Sequence, residues 1–172
     1  EILAELIIDS NYYNKLDIEG FSKMMSSPSY CYKFYWLEAI VQLISANRTE
    51  ATYDEIINKM IANAWFPVQE YHIHLSGIYG DGDVKDNLER AVSRLYELTQ
   101  LPSNANEIQI MNKLAEFSDD KELHSYKTEL TKNVPYKALS GFANKGTEKI
   151  NLESSAGRMI AYYNRLSGSE IL

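Results

Sequence analysis

The chain is short of cysteine, proline, histidine and net positive charge, and each shortage removes a class of protein. A single cysteine, Cys31, excludes an internal disulfide framework and fits a reducing cytoplasm. No apolar run approaches the ~20 residues that cross a bilayer, so no membrane span is expected. The opening EILAELIIDS carries neither a basic region nor a small-residue cleavage site, so it does not read as a secretory signal. It also lacks an initiating Met, as expected of a segment cut from a longer chain. There is no internal repeat, no low-complexity stretch and no evident linker. The 172 residues are therefore expected to form one domain, 1–172.

The net charge is −7, and its distribution says more than its total. Residues 1–120 carry nine Lys/Arg against nineteen Asp/Glu, whereas residues 121–172 carry eight against five. Non-specific nucleic-acid affinity comes mainly from cations set against phosphate, so the first two-thirds is a poor DNA surface. Any DNA contact is expected on Lys127, Lys132, Lys137, Lys145, Lys149, Arg158 and Arg165. The competing reading is ordinary solvated charge, since a small excess is not the basic stripe that such binding calls for.

What is present is apolar periodicity. Apolar residues make up 45% of the chain, and the thirteen tyrosines suit half-buried rims and interfaces, where a ring is covered and its hydroxyl stays wet. Tyr30–Ala46 reads as a helix capped by Ser29. Tyr32, Tyr35, Trp36, Ala39, Ile40, Leu43 and Ile44 form one wide face, and Phe34, Leu37 and Val41 extend apolarity to a second. So apolar a helix is expected to be central. Thr52 and Glu55 match a capping box that opens a second helix, with Tyr53, Ile56, Ile57, Met60, Ile61, Ala64 and Trp65 inward. Pro67 is expected to end it. Val68–Leu75 then alternates, with Tyr71, Ile73 and Leu75 on one side and Glu70, His72 and His74 on the other, as a strand requires. After a glycine-rich turn at 76–83, three further helices are expected. The first follows Asp83 or Asp86 and carries Leu88, Val92, Leu95 and Leu98. The second runs from Asn106 to Phe117 with Ile108, Met111, Leu114 and Ala115 inward. The third starts at Ser118 and stops before Pro135. A closing helix is expected over Leu152–Leu166, with Ala156, Met159, Ile160, Tyr163 and Leu166 on its stripe. The fold class is therefore mostly α (α+β): a multi-helix domain with a small antiparallel β element.

No complete catalytic or cofactor motif is present. In strand geometry Glu70, His72 and His74 would share one face, with neighbouring Cα atoms ~6.6 Å apart, and two imidazoles at that spacing can share a zinc ion. The alternative is the polar side of a half-buried strand. Asp81, Asp83 and Asp86 resemble a calcium loop, but counting from Asp81 the positions that need glycine and glutamate hold Asp86 and Val92. The run from Gly141 to Thr147 has the outline of a phosphate loop but lacks the lysine after its second glycine. Cys31 reads as a packed thiol, and His124 as a surface residue. A helix-turn-helix over residues 30–65 would present Asp54 and Glu55 to phosphate, which disfavours it.

The ordered stretches YCYKFYWLEAIVQLI, DEIINKMIANAWFPV, YHIHLSG and NVPYKAL together resemble the N-terminal region of bacterial HNH-endonuclease-domain proteins. The resemblance covers Tyr30–Phe142. It implies that the family's metal-dependent nuclease motif, with paired histidines and an asparagine, lies outside this chain, which has no histidine after residue 142. It therefore implies a non-catalytic N-terminal module with no cofactor of its own, any divalent metal belonging to the nuclease half. DNA or another protein or domain would be its partner. A structural or protein-interaction domain without nucleic-acid contact is the other expectation.

Overall fold

The computed structural model describes residues 18–26, 31–48, 50–75 and 85–139. Among them are six α-helices and no strand. These are α1 (Ile18–Ser26), α2 (Tyr32–Ser45), α3 (Tyr53–Tyr71), α4 (Asn87–Thr99), α5 (Glu107–Glu116) and α6 (Lys121–Leu139). Outside the described residues lie Glu1–Ile8, Ser29, the turn 76–83 with Asp81 and Asp83, the loop 141–147 and the segment Leu152–Leu166.

Local chemistry sets the helix starts. The Glu55 amide donates to Thr52 Oγ1 at 3.2 Å, and the Glu55 carboxylate accepts the Thr52 amide at 2.7 Å, completing the capping box that opens α3. Asn106 and Gln109 make the same reciprocal pair at the start of α5, at 3.0 and 2.9 Å. Asp86 caps α4 by accepting the Glu89 amide at 2.8 Å. Asp120 accepts the Leu123 amide at 2.8 Å, so α6 begins at Lys121, three residues after Ser118.

The centre of the fold is α3. It buries Ile56, Ile57, Met60, Ile61, Ala64, Trp65 and Val68 and packs against α2, α4, α5 and α6. Trp65 is fully enclosed, and its indole N–H donates to the Pro102 carbonyl at 3.0 Å, which ties the α4–α5 connection to the core. Leu88, Ala91, Val92 and Leu95 of α4 and Leu123, Leu130, Val134 and Ala138 of α6 complete that core. Met24 enters from α1, whose carbonyl at that residue accepts the Lys33 ammonium of α2 at 3.3 Å.

Five expectations are corrected. The first is the β element. Pro67 lies inside α3, and Val68–Tyr71 finish that helix where a strand was expected. A proline inside a helix removes one hydrogen bond and costs about 3 kcal/mol or more, so packing must offset it. Val68, one residue past the ring, is buried and supplies such packing. The helix stops instead at His72, which turns left-handed at φ 51°, ψ 39°, with the His72 and Ile73 amides both closing on the Pro67 carbonyl. Tyr71 and Ile73 are exposed, whereas Leu75 is buried, so the strand-like alternation does not describe one covered face. The second is Pro135, which α6 likewise passes through, with Val134 and Ala138 buried on either side.

The third correction is the place of α2. It lies at the edge, with only Trp36 and Ala39 deeply buried, whereas Phe34, Val41 and Ile44 are 41%, 52% and 63% exposed. A helix apolar around its whole circumference does not announce which side faces the core. The fourth is the phase of α5: Ile110 and Leu114 point inward, whereas Ile108 is 72% exposed and Ala115 is also exposed. Tyr53, expected inward, is exposed at the start of α3.

Core position decides the cost of substitution. Trp65→Ala should destabilise the chain by about 3–5 kcal/mol, because it opens a large void and orphans the Pro102 carbonyl. Ile108→Ala should stay within about 0.5 kcal/mol, as exposed sites do. Urea titration by circular dichroism checks both; equal effects would reject the assigned phase of α5.

Candidate functional site

With α3 helical to Tyr71, the three residues expected to share a strand face part company. Glu70 ends on the last turn and accepts the Ser103 hydroxyl. His72 is the exposed left-handed residue beyond it. His74 turns back to α4, its Nδ1 3.0 Å from Glu89 Oε1. No group of three His, Cys, Asp or Glu side chains capable of holding a metal ion occurs among the described residues.

His74 instead belongs to a polar knot where three segments meet. Glu89 is 3% exposed, and its second oxygen accepts the Leu75 amide at 3.3 Å. The Cys31 amide reaches the Leu75 carbonyl at 3.5 Å, and the Asn87 amide donates to the Tyr32 hydroxyl at 3.2 Å. The beginning of α2, the end of the 72–75 segment and the beginning of α4 are thus fastened to one another. Asp86, also buried, spends Oδ1 on the α4 cap, and its Oδ2 is enclosed without a hydrogen-bond partner. Burial above all, with the neighbouring Glu89 charge adding and the Glu89 and Leu88 amides pulling the other way, pushes its pKa up to about 6. A carboxyl that readily holds a proton explains how the oxygen is tolerated without a counter-charge.

This knot is ill suited to covalent chemistry. Burial pushes the Cys31 thiol up from its ordinary value, and the Asp86 charge adds to the rise, opposite to what a reactive thiolate needs. Burial raises the Tyr35 phenol in the same way, with nearby Cys31, Glu38 and Asp86 adding. His74, Glu89 and Asp86 do structural work: a side-chain hydrogen bond, a backbone tie and a cap. Glu89 was not singled out in the sequence. Its only signal is its place one residue after the buried Leu88, which a charged side chain tolerates only with partners.

The cations of the C-terminal third are also engaged where they are described. Lys127 is mostly buried and pairs with Asp54 at 2.6 Å, joining α6 to the first turn of α3. Lys132 pairs with Glu129 at 3.0 Å, and Lys137 is exposed near the end of α6. Lys145, Lys149, Arg158 and Arg165 lie outside the described residues. His124 is exposed on α6, as expected. A bidentate ion pair is formed where Arg94 Nε and Nη2 lie 3.1 and 2.8 Å from the two Asp120 oxygens. Those bonds come first among the causes that hold the Asp120 carboxyl down at about 2 and that raise the Arg94 guanidinium further above its ordinary range.

No family model, curated protein or solved structure matches the chain.

Asp86 and Asp120 have opposite linkage. Asp120 has a lowered folded pKa, so its contribution is present above the unfolded value of 3.8 and disappears as pH falls towards about 2. Asp86 has a raised one, so its contribution is complete below 3.8 and disappears as pH rises through about 6. Asp86→Asn keeps a good cap and removes the titration. Relative to the parent, the variant should therefore gain on the order of 1–3 kcal/mol between pH 4 and pH 8. Urea titrations at the two pH values read the difference directly; a constant offset would show that Asp86 does not titrate in this range.

Proposed function

We propose that this chain is the non-catalytic N-terminal module of an HNH-type endonuclease, and that it positions the nuclease half by docking it along α2. The observation that carries the reading is the open side of that helix. Phe34, Val41 and Ile44 are exposed there and Leu37 is half-covered. Their spacing of three and four residues is the one by which a helix offers a stripe to a second helix. The ordered stretches from Tyr30 to Phe142 supply the family. The engagement of Asp86, Glu89, His74 and Lys127 in caps and pairs suits a positioning body better than a reactive one. In this reading the divalent metal and the His–Asn–His set reside in the nuclease half. A cytoplasmic location follows from the single cysteine and from the nucleic-acid chemistry of such enzymes.

A second reading, a protein-interaction domain without nucleic-acid contact, is favoured by the pairing of Lys127 with Asp54 and Lys132 with Glu129, which sets a carboxylate beside two of the cations expected to meet phosphate. The natural reading frame around this chain separates the two. A His–Asn–His set downstream supports the nuclease module, and an unrelated downstream domain removes it.

In both readings DNA is at most a minor partner of this chain. Gel shifts with duplex DNA should show retardation, if any, at roughly 50 mM salt and none at about 200 mM. Retention at the higher salt would make DNA the main partner.

A further inference from the structure

We infer that the knot where α2, the 72–75 segment and α4 meet is a proton-controlled latch, closed while Asp86 holds a proton and released from the 72–75 segment when Asp86 and Glu89 are both charged. This goes beyond the docking reading and does not depend on it, since no part of the latch lies on the open stripe of α2. Two carboxylates stand three residues apart at the start of α4, and they are 7% and 3% exposed. Asp86 Oδ2 is enclosed without a hydrogen-bond partner. Both Glu89 oxygens are committed to the segment after α3, one to His74 and one to the Leu75 amide. Among the described residues no lysine or arginine pairs with either carboxylate. Lys85 and Arg90, the nearest cations in sequence, are engaged elsewhere. Lys85 donates to Ser93 Oγ at 3.2 Å, and Arg90 is exposed and lies near Tyr126 of α6.

The groups that face Asp86 offer it no fixed cation. From α2 come the Tyr32 hydroxyl, the Cys31 thiol and the Tyr35 phenol, the last two raised chiefly by burial, with Glu38 beside Tyr35. From α4 comes Glu89, and the Leu88 and Glu89 amides with the Tyr32 hydroxyl are what favours the charged form. From the 72–75 segment comes His74, which acts through Glu89 and is positive only when protonated. Protons on Asp86 and His74 leave the knot neutral; with neither, it encloses two negative charges. Burial and a like charge both disfavour that state, and water admitted between the carboxylates relieves it. The Asp86 carboxyl, held at about 6 in the closed form against 3.8 when free, therefore ties proton binding to closure. The latch is tightest below pH 3.8 and loosens as pH rises through about 6. The 72–75 segment is the part that yields. Ile73 is exposed, and the ties described are the two bonds to Glu89, a 3.5 Å contact from the Cys31 amide to the Leu75 carbonyl, and the closure of the Ile73 amide on Pro67. Segments with few buried contacts open before the fold as a whole.

The test is amide hydrogen exchange of the full chain by NMR, expressed as protection relative to an unstructured amide. The Leu75 amide should lose about tenfold or more of its protection between pH 5 and pH 8, the amount set by a carboxyl at about 6 closed and 3.8 open. It should also be at least about tenfold less protected than the Ala64 amide at the centre of α3, and nearly indifferent to low urea, as a local opening is. Asp86→Asn keeps a good cap and cannot titrate, so in that variant the loss between the two pH values should shrink to about threefold or less. Asp86→Ser, also a good cap, takes its place if the circular dichroism spectrum of Asp86→Asn departs from that of the parent. Equal protection and equal urea dependence of Leu75 and Ala64 would overturn the latch, because the segment would then open only with the whole fold. A Leu75 protection that does not change with pH, or a full tenfold loss that persists without the Asp86 carboxyl, would overturn it as well.

Discussion

Everything in this fold depends on α3 being covered on nearly all sides. Its inward residues run from Ile56 to Val68, and four other helices take their positions from them. A helix of this kind cannot be stable alone in water, because most of its surface is apolar. Its neighbours are therefore obligatory, and the short connections between them are fixed by what α3 needs. The bond from Trp65 to the Pro102 carbonyl shows this at atomic scale. The loop packs Leu101 and Ala105 against the core, and one of its carbonyls supplies the acceptor that the buried indole nitrogen needs.

The polar architecture follows the same logic. Charged groups near the core are found where helix ends meet, and apart from the second oxygen of Asp86 those described above are answered. Asp120 caps α6 and receives the fork of Arg94 from α4, so one carboxylate both starts a helix and docks it. Glu89 secures the segment after α3 by accepting the Leu75 amide while facing His74. Lys127 does the same for the first turn of α3 through Asp54. These contacts join elements distant in sequence, and they absorb the titratable groups that a catalytic reading would have wanted.

How much of this was legible in the sequence depended on the range of the interaction. The cap at Thr52 was readable, and Asp86 was one of two candidates, because a cap involves residues three apart; Asn106 was read as the start of its helix and not as its cap. The core face of α4 was readable because Leu88, Val92 and Leu95 stand out against polar neighbours. The two helical prolines were misread, since local rules weigh the missing hydrogen bond and the ring clash but not the buried Val68 or Val134 beside them. The grouping of Glu70, His72 and His74 failed with the strand on which it depended, because separation along a helix end and a left-handed turn sends the three side chains to different neighbours. The edge position of α2 could not be read at all: with Phe34, Trp36, Leu37, Ala39, Ile40 and Val41 all apolar, no side is marked as the inner one. The partners of Glu89 and Lys127 are tertiary, and no spacing rule reaches them.

The two tryptophans have an optical consequence. Trp65 lies at the centre of α3, and Trp36 lies on the inner side of α2, away from its open stripe. Both indoles are shielded from water, so their emission is blue-shifted in the native chain and moves to longer wavelength only when the helices separate. Intrinsic fluorescence is thus a gauge of the intact bundle and is nearly blind to whatever rests on the outer surface of α2. A fluorophore placed on that surface and the native indoles would report two different events in one sample: occupation of the stripe and loss of the fold.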